Sequence, residues 1–126
     1  MSNSVVHFEI PADDVGRAQD FYREAFGWSV QAMPDLQYTI LGTTETGEEG
    51  RPVDPGAING GMAKRQAPAF EHPCITIGVD DIDKSLERIE SLGGSAVGEK
   101  TQVGDMGWAA YFADSEGNVV GLWQNA

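Results

Sequence analysis

The chain has 126 residues, which is the length of one ordinary domain and excludes a large multidomain enzyme. A hydrophobic fraction of 40% with only 22% charged residues is typical of a chain that folds. Eight Lys and Arg against twenty Asp and Glu give a formal net charge of -12, which repels phosphate backbones and anionic lipids. We therefore expect neither nucleic acid nor a membrane as a partner.

The cellular location follows from three absences in the sequence. No apolar run is long enough to cross a bilayer, and the first residues have neither the basic start nor the apolar stretch of a signal peptide. The single cysteine, Cys74, cannot form an internal disulfide, as is usual in a reducing compartment. We expect a soluble cytoplasmic protein.

The first predicted element is a strand in which Val6, Phe8 and Ile10 alternate with His7 and Glu9. A period of two places these two sets on opposite faces of a sheet. The apolar set is expected to pack under a helix. His7 and Glu9 are then expected to lie on the other face.

A helix follows this strand. Its expected N-cap is Asp14, its expected C-cap is Gly27, and apolar residues recur between them at three and four positions. Three short apolar runs typical of strands come next, at 28–33, 37–41 and 57–63. The first half therefore predicts a βαβββ unit.

The same unit recurs 67 residues later. A strand beginning near Cys74 precedes an N-cap at Asp81, a helix with an apolar stripe, and a Gly93-Gly94 stop. Strands are predicted at 95–97, 108–112 and 119–124, and the turn formers at 114–118 predict a hairpin between the last two. We predict an α+β fold of two tandem βαβββ modules, with curled mixed sheets around a shared cavity and helices outside.

We expect one domain over 1–126, with module 1 at about 4–64, a linker at about 65–72 and module 2 at about 73–126. The stretch 43–55 lacks apolar periodicity and predicts a mobile surface loop. Such a loop is either a binding lid or a plain disordered insertion.

The arrangement resembles the vicinal oxygen chelate superfamily, which includes glyoxalase I, bleomycin-resistance proteins and extradiol dioxygenases. The small bacterial branch labelled as related to lactoylglutathione lyase is the most similar. The resemblance is carried by HFEIPADDVGRAQDFYREAFGW at 7–28, INGGMAKR at 58–65, VDDIDKSLERIESLGG at 79–94 and MGWAAYFADSEGNVVGLWQ at 106–124. It implies a cavity between the modules that hosts the site.

The resemblance also implies metal-ligand positions, which fall here on His7, Gly61, Cys74 and Gly121. A divalent metal usually needs three or four protein ligands, and two of these positions have no side chain. Glu9 shares the face of His7, but one carboxylate does not restore the set. We therefore expect no metal and no other cofactor. Glycine at 61 and 121 indicates either a cavity floor cleared for a ligand or close packing within the sheet.

Several residues expected on the cavity face have side chains that could react with or bind a ligand. His7 and Glu9 can form an acid and base pair, in which the carboxylate would raise the pKa of the imidazole, or His7 can be a hydrogen-bonded structural residue. Cys74 is expected to be a small buried residue rather than a nucleophile. Four aromatic residues supply further surface for an organic ligand: Tyr38, Trp108, Tyr111 and Trp123. About half of them are expected to be core residues, because alternate strand residues face the helices.

The sequence favours a protein that binds a small organic molecule between the modules without the usual metal. The alternative is a lyase or isomerase in which His7 and Glu9 move a proton, and a third possibility is an adaptor without a ligand. We expect a homodimer. The predicted ligand-binding residues are His7, Glu9, Tyr38, Gly61, Cys74, Trp108, Gly121 and Trp123.

Overall fold

The computed structural model describes residues 3–47 and 52–126. In the first half these form β1 (Val5–Ala12), α1 (Val15–Phe26), β2 (Ser29–Met33), a 3-10 turn (Pro34–Leu36), β3 (Tyr38–Gly42) and β4 (Gly60–Lys64). The second half contains β5 (Cys74–Gly78), α2 (Ile82–Ser91), β6 (Ser95–Ala96), β7 (Thr101–Val103), β8 (Gly107–Ala113) and β9 (Val119–Asn125).

All described strands belong to one open mixed sheet in the order β2-β3-β4-β1-β5-β9-β8-β6, with β7 beside β8. The first strand of each half pairs in parallel with the last strand of that half, β1 with β4 and β5 with β9. The halves meet where β1 and β5 pair antiparallel. The α+β fold of two tandem modules is thereby confirmed, and the two module sheets are joined edge to edge into one.

The helices begin and end where the sequence predicts. Asp14 accepts a hydrogen bond from the Arg17 amide at 3.0 Å, and Asp81 accepts one from the Lys84 amide at 3.1 Å. Gly27 ends α1 in the left-handed conformation with φ of 70° and donates to the Arg23 carbonyl at 2.9 Å. Both carboxylates satisfy first-turn amides that have no partner within the helix.

Both helices cover the same face of the sheet. Under α1, Leu41 and Met62 are fully buried with Ala12, and Phe8 and Ile10 pack against them. Under α2, the buried cluster is Val79, Ile82, Ala110, Phe112 and Leu122, and Ile77 packs against it. The cross-strand register places Phe8 opposite Ile75, which shares the face of Ile77. The other face of the sheet carries no helix within the described residues.

The loops differ in part from the prediction. The hairpin at 114–118 is present, with the Asp114 amide donating to the Asn118 carbonyl at 2.9 Å. The short strand β7 was not predicted. The expected mobile loop at 43–55 lies partly outside the described residues, and its described ends meet in a bridge between Thr46 and Pro52. Among the described residues, no helix has the length and apolarity needed to span a membrane.

Candidate functional site

The helix-free face brings the first strands of both modules together. His7 pairs with Thr76 and Glu9 pairs with Cys74 across the β1–β5 junction. Directly opposed residues point to the same face of a sheet, so these four side chains share the helix-free face. The placement of His7 and Glu9 on one face agrees with the alternation in the sequence.

Four side chains on this face form one hydrogen-bonded group, here called the Glu9 cluster: His7, Glu9, Tyr38 and Tyr111. The Tyr38 hydroxyl donates to Oε2 of Glu9 at 2.8 Å, and the Tyr111 hydroxyl donates to Oε1. Nε2 of His7 lies 2.8 Å from the Tyr38 hydroxyl oxygen. Tyr38 lies on β3 of module 1 and Tyr111 on β8 of module 2, so both modules contribute to the cluster.

The hydrogen bonds assign the protons of the cluster. Tyr38 has one hydroxyl hydrogen, which it gives to Glu9. Its oxygen must therefore accept a hydrogen bond from Nε2–H of His7. Nδ1 of His7 makes no hydrogen bond within the described residues, so this tautomer leaves a lone pair available to a ligand.

Burial governs the acid–base behaviour of the cluster. It lowers the pKa of His7 from the ordinary 6.5, and the charge of Glu9 opposes this shift without reversing it. Glu9 raises the pKa of the imidazole, as expected from the sequence, but desolvation of the imidazolium outweighs this attraction, so the net shift is downward. Burial followed by the charge of Glu9 raises the pKa of both Tyr38 and Tyr111 well above 10.0. The imidazole is neutral and the phenols are protonated at neutral pH.

Cys74 is half-buried beside the cluster. Burial first and the charge of Glu9 second raise the pKa of its thiol to about 11. The thiolate is the nucleophile, so a thiol held in the protonated form does not suit that role. This agrees with the sequence-based preference for an inert cysteine.

Both glycines at the implied metal-ligand positions are closely covered. A Cβ atom on Gly61 would overlap the hydroxyl and ring atoms of Tyr38, and one on Gly121 would lie 2.9 Å from Oγ1 of Thr76. The absence of a side chain at Gly61 does not open space for a ligand, because the Tyr38 side chain occupies that space. Close packing, the alternative that the sequence left open, is what the structure has there.

The four implied positions do not fit a divalent metal. Only His7 and Cys74 have side-chain donors, because the other two positions are glycines. Across residues 3–47 and 52–126, no three His, Cys, Asp or Glu side chains come together as metal ligands. Three or four such donors are the usual requirement.

The two predicted tryptophans lie on opposite faces. Trp123 follows the core residue Leu122 and therefore shares the helix-free face with the Glu9 cluster. Its Nε1 donates to Asn125 at 2.8 Å, so the ring leans away from Gly121 toward the end of β9. Trp108 packs against the core under α2, with Nζ of Lys100 4.8 Å from its ring centroid. Trp108 therefore lies on the helix side, as a core residue of the kind expected for about half of the four aromatics.

A groove of about 880 Å³ lies on the helix side of the sheet, between the two modules. It is lined mainly by apolar side chains, including Phe8, Tyr22, Phe26, Trp28, Ile75 and Val120, and Glu9 and Cys74 also border it. The rings of Tyr22 and Trp28 stack with their centroids 5.0 Å apart. A second pocket, of about 470 Å³, lies beside Thr43 and Thr44. Neither contains His7, Tyr38 or Tyr111.

Sequence reasoning named Tyr111 only as an aromatic residue and did not include Thr76. The alternation of side chains along a strand could have placed both Tyr111 and Thr76 on the helix-free face. Tyr111 lies between the core residues Ala110 and Phe112, so it must point to the other face. Thr76 is two residues from Cys74 on the same strand and shares its face. The convergence of two tyrosines on one carboxylate had no signal in the sequence.

Comparison with known proteins agrees with this fold. Residues 4–44 match the family model "Bleomycin resistance protein-like N-terminal". A glyoxylase-like domain-containing protein of Didymella fabae is 31% identical over 114 residues, covering 87% of this chain and 84% of that protein. The anthracycline biosynthesis protein DnrV of Streptomyces peucetius is 27% identical over 133 residues, covering 93% of this chain and 45% of that protein.

A solved structure of methylmalonyl-CoA epimerase from Streptomyces coelicolor, in complex with 2-nitronate-propionyl-CoA, has the same fold. Its TM-score is 0.67 at 16% sequence identity, covering 100% of this chain and 99% of that one. The chain spans 45% of the length of DnrV and 43% of the length of the putative glyoxylase CFP32 of Mycobacterium bovis, which is 28% identical over 121 residues. The fold of two joined modules and the similarity to these relatives show that the chain belongs to the glyoxalase and bleomycin-resistance family of the vicinal oxygen chelate superfamily.

Proposed function

We propose that this protein binds a small organic molecule on the helix-free face of the sheet, over the Glu9 cluster, without the metal usual in the superfamily. The observation that supports this most directly is the convergence of Tyr38 and Tyr111, from different modules, on Glu9. A few converging polar groups among aromatic rings are typical of small-molecule sites. The lone pair on Nδ1 of His7 adds an acceptor for a ligand hydroxyl or amine.

The helix-side groove is the rival location, because apolar volume alone favours it. Its polar lining residues include Glu9, whose two oxygens accept hydrogen bonds from the tyrosines, and Asp114, which accepts the amide hydrogens of Glu116 and Asn118. His7, whose Nδ1 makes no hydrogen bond within the described residues, does not line the groove. Specific recognition needs polar groups that are free to face the ligand. We therefore place the ligand on the helix-free face.

The test is a titration with 2-phenylethanol, followed through the backbone amide signals of the ¹⁵N-labelled protein. We expect the largest shifts at His7, Thr76 and Tyr111, which do not line the groove, and loss of those shifts in Tyr111→Phe. Tyr22→Phe is the matched control, because its ring lines the groove. Shifts confined to Phe26, Trp28 and Ile75, or lost only in Tyr22→Phe, would place binding in the groove and refute the proposal.

A second candidate function is a lyase or isomerase that moves a proton next to a carbonyl group. The chain His7–Tyr38–Glu9 favours it, since a neutral imidazole with a free Nδ1 is suited to accept a proton. Both Glu9 oxygens already accept hydrogen bonds from phenols, which makes His7 the base in this scheme. Incubation with hydroxyacetone in D₂O tests it: deuterium uptake must exceed that in buffer and disappear in His7→Gln.

A further inference from the structure

Within residues 3–47 and 52–126, the negative charge of Glu9 has no cationic partner. Its two oxygens accept hydrogen bonds from the hydroxyls of Tyr38 and Tyr111, which carry no charge. The ion pairs found among the described residues lie elsewhere: Arg23–Asp20, Arg65–Asp13 and Lys100–Asp83. Neutral donors stabilise a carboxylate but leave its charge to act on whatever binds next to it.

The lysines and arginines that the structure describes belong to other parts of the molecule. Four of them lie on the two helices, and Lys100 lies over the ring of Trp108 on the helix side. Lys64 is two residues after the core residue Met62 on β4, so its side chain points to the helix side. Arg65 forms an ion pair with Asp13. Within residues 3–47 and 52–126, the helix-free face thus has a carboxylate but no fixed positive charge. Such a surface disfavours phosphates and carboxylates.

The aromatic rings of the same face complete the argument. The rings of His7 and Tyr38 stack with centroids 6.4 Å apart, and Tyr111 and Trp123 lie on the same face. An aromatic face attracts a cation within about 6 Å of its centroid, and the attraction grows when the cation is desolvated. Aromatic rings around an unpaired carboxylate therefore favour an ammonium group over a neutral or anionic one.

Resting on the function proposed above, we propose that the ligand of the helix-free face is a small organic cation, in which a protonated or quaternary amine adjoins an apolar or aromatic group. Glu9 supplies the counter-charge, while the rings of Tyr38, Tyr111 and Trp123 contact the apolar part. The net charge of -12 adds long-range attraction for such a ligand.

Three probes of similar shape and different charge test this inference: 2-phenylethylamine, 2-phenylethanol and phenylacetate. Titration of the full chain by NMR should show the amine binding at least about fivefold more tightly than the alcohol, and phenylacetate binding most weakly. Glu9→Gln should bring the amine-to-alcohol ratio close to one. Glu24→Gln removes the same charge from the exposed surface of α1 and should keep the ratio.

A salt titration of the unaltered protein keeps the inference testable if Glu9→Gln does not fold. Raising NaCl from about 20 mM to about 500 mM should weaken binding of the amine and leave that of the alcohol nearly unchanged. If the alcohol or phenylacetate binds on the helix-free face as tightly as the amine, the inference is overturned and the binding function stands. If no probe shifts the signals of the Glu9 cluster, both proposals are overturned.

Discussion

Tyr38 occupies the space in which a side chain at Gly61 would have to lie. The two residues are on adjacent strands, where Gly61 pairs with Ile40 and the Tyr38 ring leans across the glycine to reach Glu9. A Cβ on Gly61 would overlap the hydroxyl oxygen and two ring carbons of Tyr38. The Glu9 cluster therefore requires glycine at this position, which the resemblance to the superfamily identifies as a metal-ligand position.

Gly61→Ala should consequently destabilise the protein and displace Tyr38. The added methyl group forces the phenol away from Glu9, and overpacking of this kind costs about 1 to 3 kcal/mol. Urea unfolding measures the loss. The side-chain signals of Tyr38 should shift together with those of Glu9, because the bond between them is broken.

Gly16→Ala is the control for that substitution. Its Cβ would meet only Oδ1 of Asp14, at an ordinary 3.7 Å, and alanine is a better helix former than glycine. We expect unchanged or slightly increased stability. Equal stability of the Gly61→Ala and Gly16→Ala proteins would mean that Tyr38 does not depend on glycine at position 61.

Removal of either cluster hydroxyl should lower the free energy of unfolding. Tyr38→Phe leaves Oε2 of Glu9 and Nε2 of His7 without their partner, and Tyr111→Phe leaves Oε1 without one. Each unsatisfied polar group costs about 1 to 3 kcal/mol when shielded from water. Tyr22→Phe should change stability by less than about 0.5 kcal/mol, because the Tyr22 hydroxyl has no hydrogen bond within the described residues. Equal effects of all three substitutions would contradict a structural role for the cluster bonds.

Alkaline pH should unfold the protein through the same two phenols. Their pKa values are raised in the folded state, so the unfolded state releases these protons first and folding stability falls as the pH rises above about 10. Phenolate absorbance and circular dichroism, recorded together, measure this. We expect Tyr38 and Tyr111 to ionise only as the fold is lost. Reversible ionisation of all three tyrosines in the folded protein would refute the prediction.

The histidine of the cluster predicts the opposite response at acidic pH. Because burial lowers the pKa of His7, the unfolded state binds the proton more tightly, and stability falls as the pH drops below about 6.5. His72→Gln leaves a single imidazole, whose NMR titration should have a midpoint below 6.5. A midpoint above that value would show that the charge of Glu9 outweighs burial.

Most of the secondary structure and the two faces of each strand follow from local patterns in the sequence. Alternation in β1 separates Phe8 from His7, and the N-cap residues mark both helix starts. These features depend on neighbours within a few positions along the chain. The two-residue strand β6 and the three-residue strand β7 are too short for a period to be recognised.

The Glu9 cluster depends instead on the order of strands in the sheet. Tyr38 and Tyr111 are 29 and 102 positions from Glu9, and they reach it because β3 and β8 each lie two strands away from the β1–β5 junction. The sign of the His7 shift is likewise a tertiary property, since burial decides it. Trp108 and Tyr111 are three residues apart on β8 and therefore point to opposite faces, with Trp108 on the helix side. The domain boundaries, the cytoplasmic location and the homodimer remain predictions.

Cys74 should be slow to alkylate despite being half-exposed. A thiol with a pKa of about 11 is ionised to only about one part in a thousand at pH 8, against about one part in ten for a thiol with a pKa of 9.0. Iodoacetamide should therefore label the folded protein about a hundredfold more slowly than the urea-unfolded chain, at a rate that rises tenfold per pH unit toward pH 10. Glu9→Gln should speed labelling, because the Glu9 charge is the second cause of the shift. A slow rate that levels off near pH 9 would assign the slow reaction to steric burial of a thiol with its ordinary pKa. Labelling as fast as in the unfolded chain would show that the Glu9 cluster leaves Cys74 unaffected.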